Sequence, residues 1–394
     1  MLRNYQFRVY LNRKQEAKLQ QTLGFCCDLY NAALEQRIWA YKKCKVSLSN
    51  YTQNNELPEL KEYLPEYKEI HSNVLQEVMA RLQKAYQNFF RRLKNGSAKV
   101  GFPRFRSYYR YNSITYVQTG FKIDEESKTI TLSKIGTFKV KFYRTLPGLV
   151  KRLTLKRLAD GYYVSIICEV EPKVLPKTGK TTAVDMGLKH IMVDQNGNQY
   201  GDLTYLKSMQ EKSIRLQQEL SRKVKGSNRR KKARSRLVKH ELRKARVRAH
   251  QLHNLSRKLI RENDKIIVEN LDIEHMKNKK YAKKPKTKRE KKAQITLRRN
   301  INEAAWGILT EQLQYKAEEA GREVVLVNPK NTSQICSVCG SYVKKEWYVR
   351  VHDCPFCGTV MDRDHNAAQN ILCLGTTGAL PALRQVGGFA ADST

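Results

Sequence analysis

Cys336-Ser337-Val338-Cys339-Gly340, then Cys354-Pro355-Phe356-Cys357-Gly358, then Asp362-Arg363-Asp364-His365-Asn366-Ala367-Ala368: these three runs carry the most specific information in the chain. The two Cys-x₂-Cys pairs stand fourteen residues apart, close to zinc-ribbon spacing. Two intervening residues let both thiolates of a pair reach one ion. The glycine after each pair admits the left-handed turn that points backbone N–H groups at sulfur. Cys336, Cys339, Cys354 and Cys357 complete a tetrahedral shell, so the expected zinc is structural, with no position open to water. Unrelated buried thiols or a redox pair are the alternatives, and random placement would not end both knuckles in Gly. His352, beside Cys354, is a competing ligand that four thiolates make unnecessary. Cys26, Cys27, Cys44, Cys168 and Cys373 lie on apolar stretches and read as buried filling.

Working outward, the 394 residues suit two to three domains. Lys and Arg number 75 against 37 Asp and Glu, a formal charge of +38. Such a balance repels itself unless a polyanion is bound, so nucleic acid is the expected partner. Apolar and aromatic residues are too frequent for a disordered basic tail. No apolar run nears the ~20 residues of a spanning helix, so no membrane partner is expected. The opening Met1–Gln6 lacks an apolar signal region, and nine cysteines without one argue against a disulfide framework. An intracellular, nucleic-acid-handling protein is what these features leave.

The chain changes character three times. Tyr5–Tyr10 alternates as a strand, Asn12 with Gln15 reads as a capping box, and helical stripes run to Asn95-Gly96 across a polar linker at Ser47–Pro65. Between about 106 and 172, short alternating runs around Asp160-Gly161 indicate an antiparallel sheet or barrel. From Thr181, strands at Thr182–Asp185, Ile191–Val193 and Lys265–Glu269 alternate with helices, one of them from about Leu297 to Ala320, as in an α/β domain. Gly375–Thr394 reads as a flexible tail.

In so basic a chain, acids on apolar strands need explaining. Asp185 ends one strand and Glu269 another, and Asp362 and Asp364 precede an apolar helix. A buried carboxylate needs a cation or a metal. Carboxylates from separate elements can converge on two divalent ions about 4 Å apart and cut a phosphodiester. Oxygen ligands favour Mg²⁺ or Mn²⁺. Taken singly, each has a plainer reading: a strand-end Asp caps a turn, and an Asp before a helix is an N-cap.

At these residues the chain resembles the transposon-encoded TnpB (OrfB) family, RNA-guided DNA nucleases related to the type V CRISPR effectors. The matching stretches are Ala183-Val-Asp-Met-Gly-Leu-Lys, Ile267-Val-Glu-Asn-Leu-Asp-Ile, Thr332-Ser-Gln-Ile-Cys-Ser-Val-Cys-Gly, Asp362-Arg-Asp-His-Asn-Ala-Ala-Gln-Asn-Ile and, upstream, Val100-Gly-Phe-Pro-Arg-Phe-Arg. Their order agrees, and the likeness reaches about Leu374. The resemblance implies a multidomain α+β chain. A wedge-like antiparallel β-barrel would occupy 1–10 plus 106–177, and a helical recognition domain 11–105. An RNase H-like (RuvC) α/β nuclease domain would occupy 181–335 plus 358–374, interrupted by the Cys₄ zinc ribbon at 336–357. The tail, 375–394, would follow. Asp185, Glu269 and Asp364 would be the catalytic acids holding two Mg²⁺ (or Mn²⁺) ions, with Asp362 a capping neighbour. Partners would be a guide RNA derived from the transposon end, target DNA beside a short adjacent motif, and the transposase of the same element as a further candidate. The setting would be the cytoplasm of a prokaryote, at the nucleoid when acting on DNA.

Arg222–Arg261 holds seventeen Lys or Arg and one acid, Glu241, and Lys277–Arg299 holds twelve and one, Glu290. A charge run is ordinarily a solvated face, but this imbalance exceeds what intrahelical pairing offsets. Arg229, Arg230, Lys231, Lys232, Arg234, Arg236, Arg243 and Lys244 are therefore candidate contacts to a guide–target heteroduplex. Arg104, Arg106, Tyr108 and Arg110, where aromatics interleave with basic residues, are others. Phe89 and Phe90 continue a helical stripe and read as core. Against the nuclease reading stand three others: an RNA-guided DNA-binding regulator of transposition that does not cut, an RNase H-like transposase that needs no guide, and a zinc-ribbon RNA-binding module without catalysis.

Overall fold

The computed structural model describes residues 1–96, 100–202, 204–278, 285, 287–346 and 349–381. The chain forms two compact units, Met1–Glu171 and Pro172 onward.

In the first unit, β1 (Leu2–Tyr10) buries Tyr5, Phe7 and Val9 and exposes the residues between, the period of a one-sided strand. Asn12 caps α1 (Arg13–Cys44): its Oδ1 accepts from the Gln15 N–H at 2.8 Å, and Gln15 Oε1 accepts from the Asn12 N–H at 3.0 Å. The stretch expected as a linker instead holds two short helices, α2 (Asn50–Asn55) and α3 (Leu57–Tyr63). Ser49 caps the first, and a proline opens the second where its missing N–H costs nothing. After α4 (Ser72–Lys94) come β2 (Ser113–Val117), β3 (Phe121–Asp124), β4 (Thr129–Leu132), β5 (Gly136–Lys141), β6 (Leu149–Leu158) and β7 (Gly161–Glu169).

These strands form one antiparallel sheet in the order β2-β6-β7-β1-β5-β4-β3, with the N-terminal strand at its centre. The edge strands β2 and β3 are consecutive in the chain, so the sheet has to curl until its edges approach. Tyr116 Oη reaches across to the Ser133 carbonyl at 2.8 Å. The expected barrel is thus a nearly closed sheet whose edge strands are not paired to each other. Leu19, Leu23 and Leu34 of α1 and Leu75, Val78 and Leu82 of α4 share one apolar core with Ile114, Leu153 and Ile166 of the sheet. Helices and strands expected as separate domains therefore make a single unit, because each helix carries one apolar stripe and the sheet supplies its cover. Cys26, Cys27 and Cys168 are buried here, whereas Cys44, on the last turn of α1, is exposed.

The second unit opens with β8 (Thr181–Asp185), β9 (His190–Asp194) and β10 (Gln199–Asp202), followed by α5 (Thr204–Ser221), α6 (Asn228–Glu262) and β11 (Lys265–Glu269). Then come α7 (Ile273–Lys277), α8 (Lys288–Ala304), α9 (Trp306–Ala320), β12 (Glu323–Val327), β13 (Val351–Asp353), β14 (Val360–Asp362) and α10 (Arg363–Thr377). The main sheet runs β10-β9-β8-β11-β12, with β8, β11 and β12 parallel and the first three antiparallel. Ile266, Ile267 and Val268 are fully buried, as a two-sided parallel strand requires. The single helix expected from Leu297 to Ala320 is two, broken where Ala305 takes a φ of 54°. Among the described residues no helix is long and apolar enough to cross a membrane.

Helix α10 lies on the sheet through Ile371, against Ala183, Ile267 and Val327, with Leu372 and Leu374 packed beside it. It continues to Thr377, with Gly378 as its left-handed cap, so the expected tail begins later than Gly375; residues 382–394 lie outside the described residues. Gly375 itself is pressed on β11: a Cβ there would meet Ile267 Cγ2 at 2.4 Å. Ile267 is β-branched and buried and has little room to give. Gly375→Ala should therefore cost about 1–3 kcal/mol despite its better helix propensity. A urea unfolding midpoint equal to wild type would refute this.

Candidate functional site

The four ribbon cysteines converge. Sγ of Cys336 lies 3.7 Å from that of Cys357, and Sγ of Cys339 3.6 Å from that of Cys354. Among the described residues they are the one group of three or more ligand residues whose atoms all lie within 4.8 Å of one another. A tetrahedron with Zn–S of about 2.3 Å has edges of about 3.8 Å, so this donor set fits a zinc ion. Gly340 and Gly358 adopt φ of 74° and 71° and donate back to the carbonyls of Cys336 and Cys354, at 2.9 Å each. His352 is fully buried but is not part of the cluster; it bonds Lys345.

Asp185 and Glu269 end β8 and β11, parallel neighbours whose register pairs Val184 with Val268. Both carboxylates therefore sit at the C-terminal edge of the sheet, where α/β folds place their ligands. Both residues are buried, at 9% and 6% exposure. Burial lifts the Asp185 carboxyl well above its ordinary value, and the charges of Glu269 and Asp364 push it the same way, against Arg363 and the Met186 N–H. Burial raises Glu269 too, while the Thr332 hydroxyl, donating to Oε1 at 2.7 Å, pulls it back.

Asp364 stands in the first turn of α10. A Cβ on Gly187, two residues after Asp185, would lie 3.8 Å from its Oδ2. The oxygens of the three acids do not draw together as closely as the thiolates do. Asp364 is instead held by Arg350 (Nη1 to Oδ2, 3.3 Å) and Arg363 (Nη2 to Oδ1, 3.1 Å). Asp362 is the N-cap, its Oδ1 accepting from Asp364 N–H at 2.8 Å. Sequence reasoning passed over Thr332, Asn366 and Asn370. The signal for the last two was present: amides at i and i+4 amid Ala367, Ala368 and Ile371 mark a polar seam on a buried helix.

The basic residues divide. Arg229, Lys231, Lys232, Arg234, Arg236 and Arg243 are exposed along α6, as are Arg104, Arg106 and Arg110 in the first unit. Arg230 instead donates to the carbonyls of Leu220 and Lys223 at 2.9 and 2.8 Å, closing the end of α5. Lys244 departs from expectation: it is 6% exposed and bound to Glu303 and Gln210, both at 2.8 Å. A buried ammonium this well paired is committed to the fold and has no charge to spare for phosphate. Tyr108 donates its hydroxyl to the Gln20 carbonyl at 3.1 Å. Phe90, expected as core, is 57% exposed, and Phe102 and Phe105 are similarly open.

Three family models match the chain. Residues 165–280 match one described as "Probable transposase" of the OrfB type, and 306–371 match "Cas12f1-like, TNB domain". Residues 1–45 match a "Helix-turn-helix domain", although that span here is a strand and one unbroken helix. A candidate RNA-guided DNA endonuclease of Streptomyces pristinaespiralis is 30% identical over 383 residues, covering 95% of this chain and 89% of the relative. Its counterpart InsQ of Escherichia coli K12 is 27% identical over 385 residues, 95% and 92% of the two chains. Over 64 residues, 16% of this chain and 15% of the relative, identity with the CRISPR-associated endodeoxyribonuclease Cas12f1 of Sulfoacidibacillus thermotolerans rises to 41%. With likeness running through both units, and acids and cysteines each gathered where the motifs lie, the chain belongs to the OrfB (TnpB) family.

Proposed function

We propose that this chain is an RNA-guided DNA endonuclease that hydrolyses target DNA at Asp185, Glu269 and Asp364. The observation that carries the reading is the meeting of these acids at one sheet edge, where two are buried and mutually repelling. Like charges held this way call for a hard cation, and their oxygens suit Mg²⁺ or Mn²⁺. Two such ions, when bound, would supply an activated water and charge relief at the leaving oxygen. Asp185 and Glu269, fixed at strand ends, would hold them in place. Asp364 would complete the set by turning from Arg350 and Arg363, and the Arg350 guanidinium would then turn to the scissile phosphate. In order of appearance the sheet reads 3-2-1-4-5, which supports an RNase H-like (RuvC) core around the Cys₄ ribbon.

The first unit would hold the guide and read the motif beside the target, as the wedge and recognition parts of the family do. The exposed arginines and lysines of α6 would follow the heteroduplex backbone, with the transposon end as the source of guide RNA. Replacing Arg229, Lys231, Lys232, Arg234 or Arg236 by Gln should flatten the slope of log K against log salt by about 0.7–0.9 for each phosphate that the side chain neutralises. Lys244→Gln should leave the slope unchanged and lower the melting temperature. Equal slopes for all variants would remove α6 from the interface.

The whole reading is tested by purifying the protein from a host carrying its native locus and sequencing the RNA that accompanies it. One discrete RNA with a constant scaffold and a variable end, programming cleavage of a matching DNA with Mg²⁺, is the expected result. A heterogeneous smear of host RNA, or DNA bound and never nicked, would overturn it.

A further inference from the structure

The ribbon and the acid centre are joined by a buried chain of side-chain hydrogen bonds. It begins at the first knuckle, where the Ser337 N–H donates to Asn366 Oδ1 at 2.9 Å and the Asn366 amide donates to the Ile335 carbonyl at 2.8 Å. One turn on, the Asn370 amide donates to the Ile335 carbonyl at 2.7 Å and to the Thr332 carbonyl at 2.8 Å. Thr332 then closes the path through its hydroxyl to Glu269 Oε1. That hydroxyl oxygen also lies 3.1 Å from the Pro329 carbonyl, but a hydroxyl has one proton, and the carboxylate at 2.7 Å is the stronger acceptor. Asn366 and Asn370 are fully buried and Thr332 is 2% exposed, so water offers no substitute for these bonds.

We propose that Thr332 is a positioning residue for Glu269, and that the zinc knuckle, acting through Asn366 and Asn370, fixes where Thr332 stands. Segment 332–337 has no strand or helix of its own to hold it. Its place is set by Cys336 at one end, by the two amides along its length, and by backbone bonds to Asn331 on one side and to Ser341–Val343 of the ribbon on the other. The ribbon is then more than a separate staple: its loading determines how well the acid centre is preformed for a divalent cation. The inference rests on the reading of Asp185, Glu269 and Asp364 as cation ligands.

The test measures Mn²⁺ binding to the full-length chain by calorimetry, alongside cleavage by its RNA complex. Partners that orient a metal ligand from behind are typically worth about 10–100-fold in metal affinity. Thr332→Val keeps the shape and loses the hydroxyl, so it should weaken Mn²⁺ by about tenfold or more while zinc content and RNA affinity stay at wild type. Thr332→Ser should restore binding. Removing zinc should weaken Mn²⁺ in the wild-type chain and add little in Thr332→Val, because both changes break one path. If Thr332→Val binds Mn²⁺ as wild type does, or Ser fails to rescue, or zinc removal costs both chains equally, the linkage is wrong. Glu269→Gln separates that result from failure of the underlying reading. A wild-type chain whose Mn²⁺ binding ignores Glu269→Gln has no acid centre of the kind proposed, and the linkage falls with it.

Discussion

Asp185→Asn should abolish target cleavage and, without divalent cations, should make the protein more stable. The two effects share a cause. Asp185 is buried beside Glu269 and within reach of the charge of Asp364, and all of these push its proton affinity upward. An acid whose folded pKa lies above its unfolded value binds more protons folded than unfolded. Stability therefore falls as pH rises from the ordinary value of 3.8 to the raised folded value, and stays low above it. Asn cannot ionise, so the variant escapes that loss and should melt at a higher temperature than the wild type at pH 7. Mg²⁺ should stabilise the wild type, through the ionised carboxylates, and do little for the variant. Cleavage should drop by about 10³-fold or more, since the lost ligand serves the reacting centre directly.

Asp364→Asn should be equally inactive but no more stable, because its carboxylate is already paired with Arg350 and Arg363. A gain in stability for one variant and none for the other, with a common loss of activity, distinguishes a strained cation site from two ordinary structural acids. Calorimetry with and without Mg²⁺, beside a cleavage assay, reads both. An Asp185→Asn chain that cuts at the wild-type rate would end the catalytic assignment.

How much of this was legible beforehand depended on the range of the interactions involved. The Asn12–Gln15 box, the Asp160-Gly161 turn and the two Cys-x₂-Cys-Gly knuckles are local, and a few adjacent residues suffice to read them. The strand carrying Glu269 was readable from Ile266-Ile267-Val268, because a strand buried on both faces tolerates little else. What could not be read was tertiary. Nothing near Lys244 announces Glu303, fifty-nine residues on, and without that partner the lysine looks like one more in a basic run. Gly375 looked like the start of a loose tail because only the nearness of Ile267 explains it. Phe90 follows a helical stripe, yet that stripe outlasts the core it covers. The acids were recoverable as strand ends and a helix start, but their meeting required the parallel register of β8 and β11.

Cys354→Ser tests the other half of the architecture and should also cost cleavage, by a different route. The ribbon's own core is three buried cysteines with Val343 and Cys357 packed beside them, far too little apolar surface to fold alone. Its order has to come from the ion, whose binding at such sites is worth about 10–16 kcal/mol and is then folding energy. Losing one thiolate should release zinc and unfold the ribbon segment around 336–357, while the five-stranded sheet keeps its apolar core. Asn366 and Asn370 would then lose their carbonyl partners on 332–337, leaving buried amides unsatisfied at about 1–3 kcal/mol each. The expected pattern is zinc falling from one per chain to none, fast amide exchange confined to the ribbon and the segment before it, and cleavage down tenfold or more with RNA affinity retained. Exchange that quickens throughout the second unit would mean that the ion holds up the whole fold. Wild-type cleavage by a zinc-free chain would mean that the ribbon is dispensable to the acid centre, and Glu269 would have to owe its position to β11 alone.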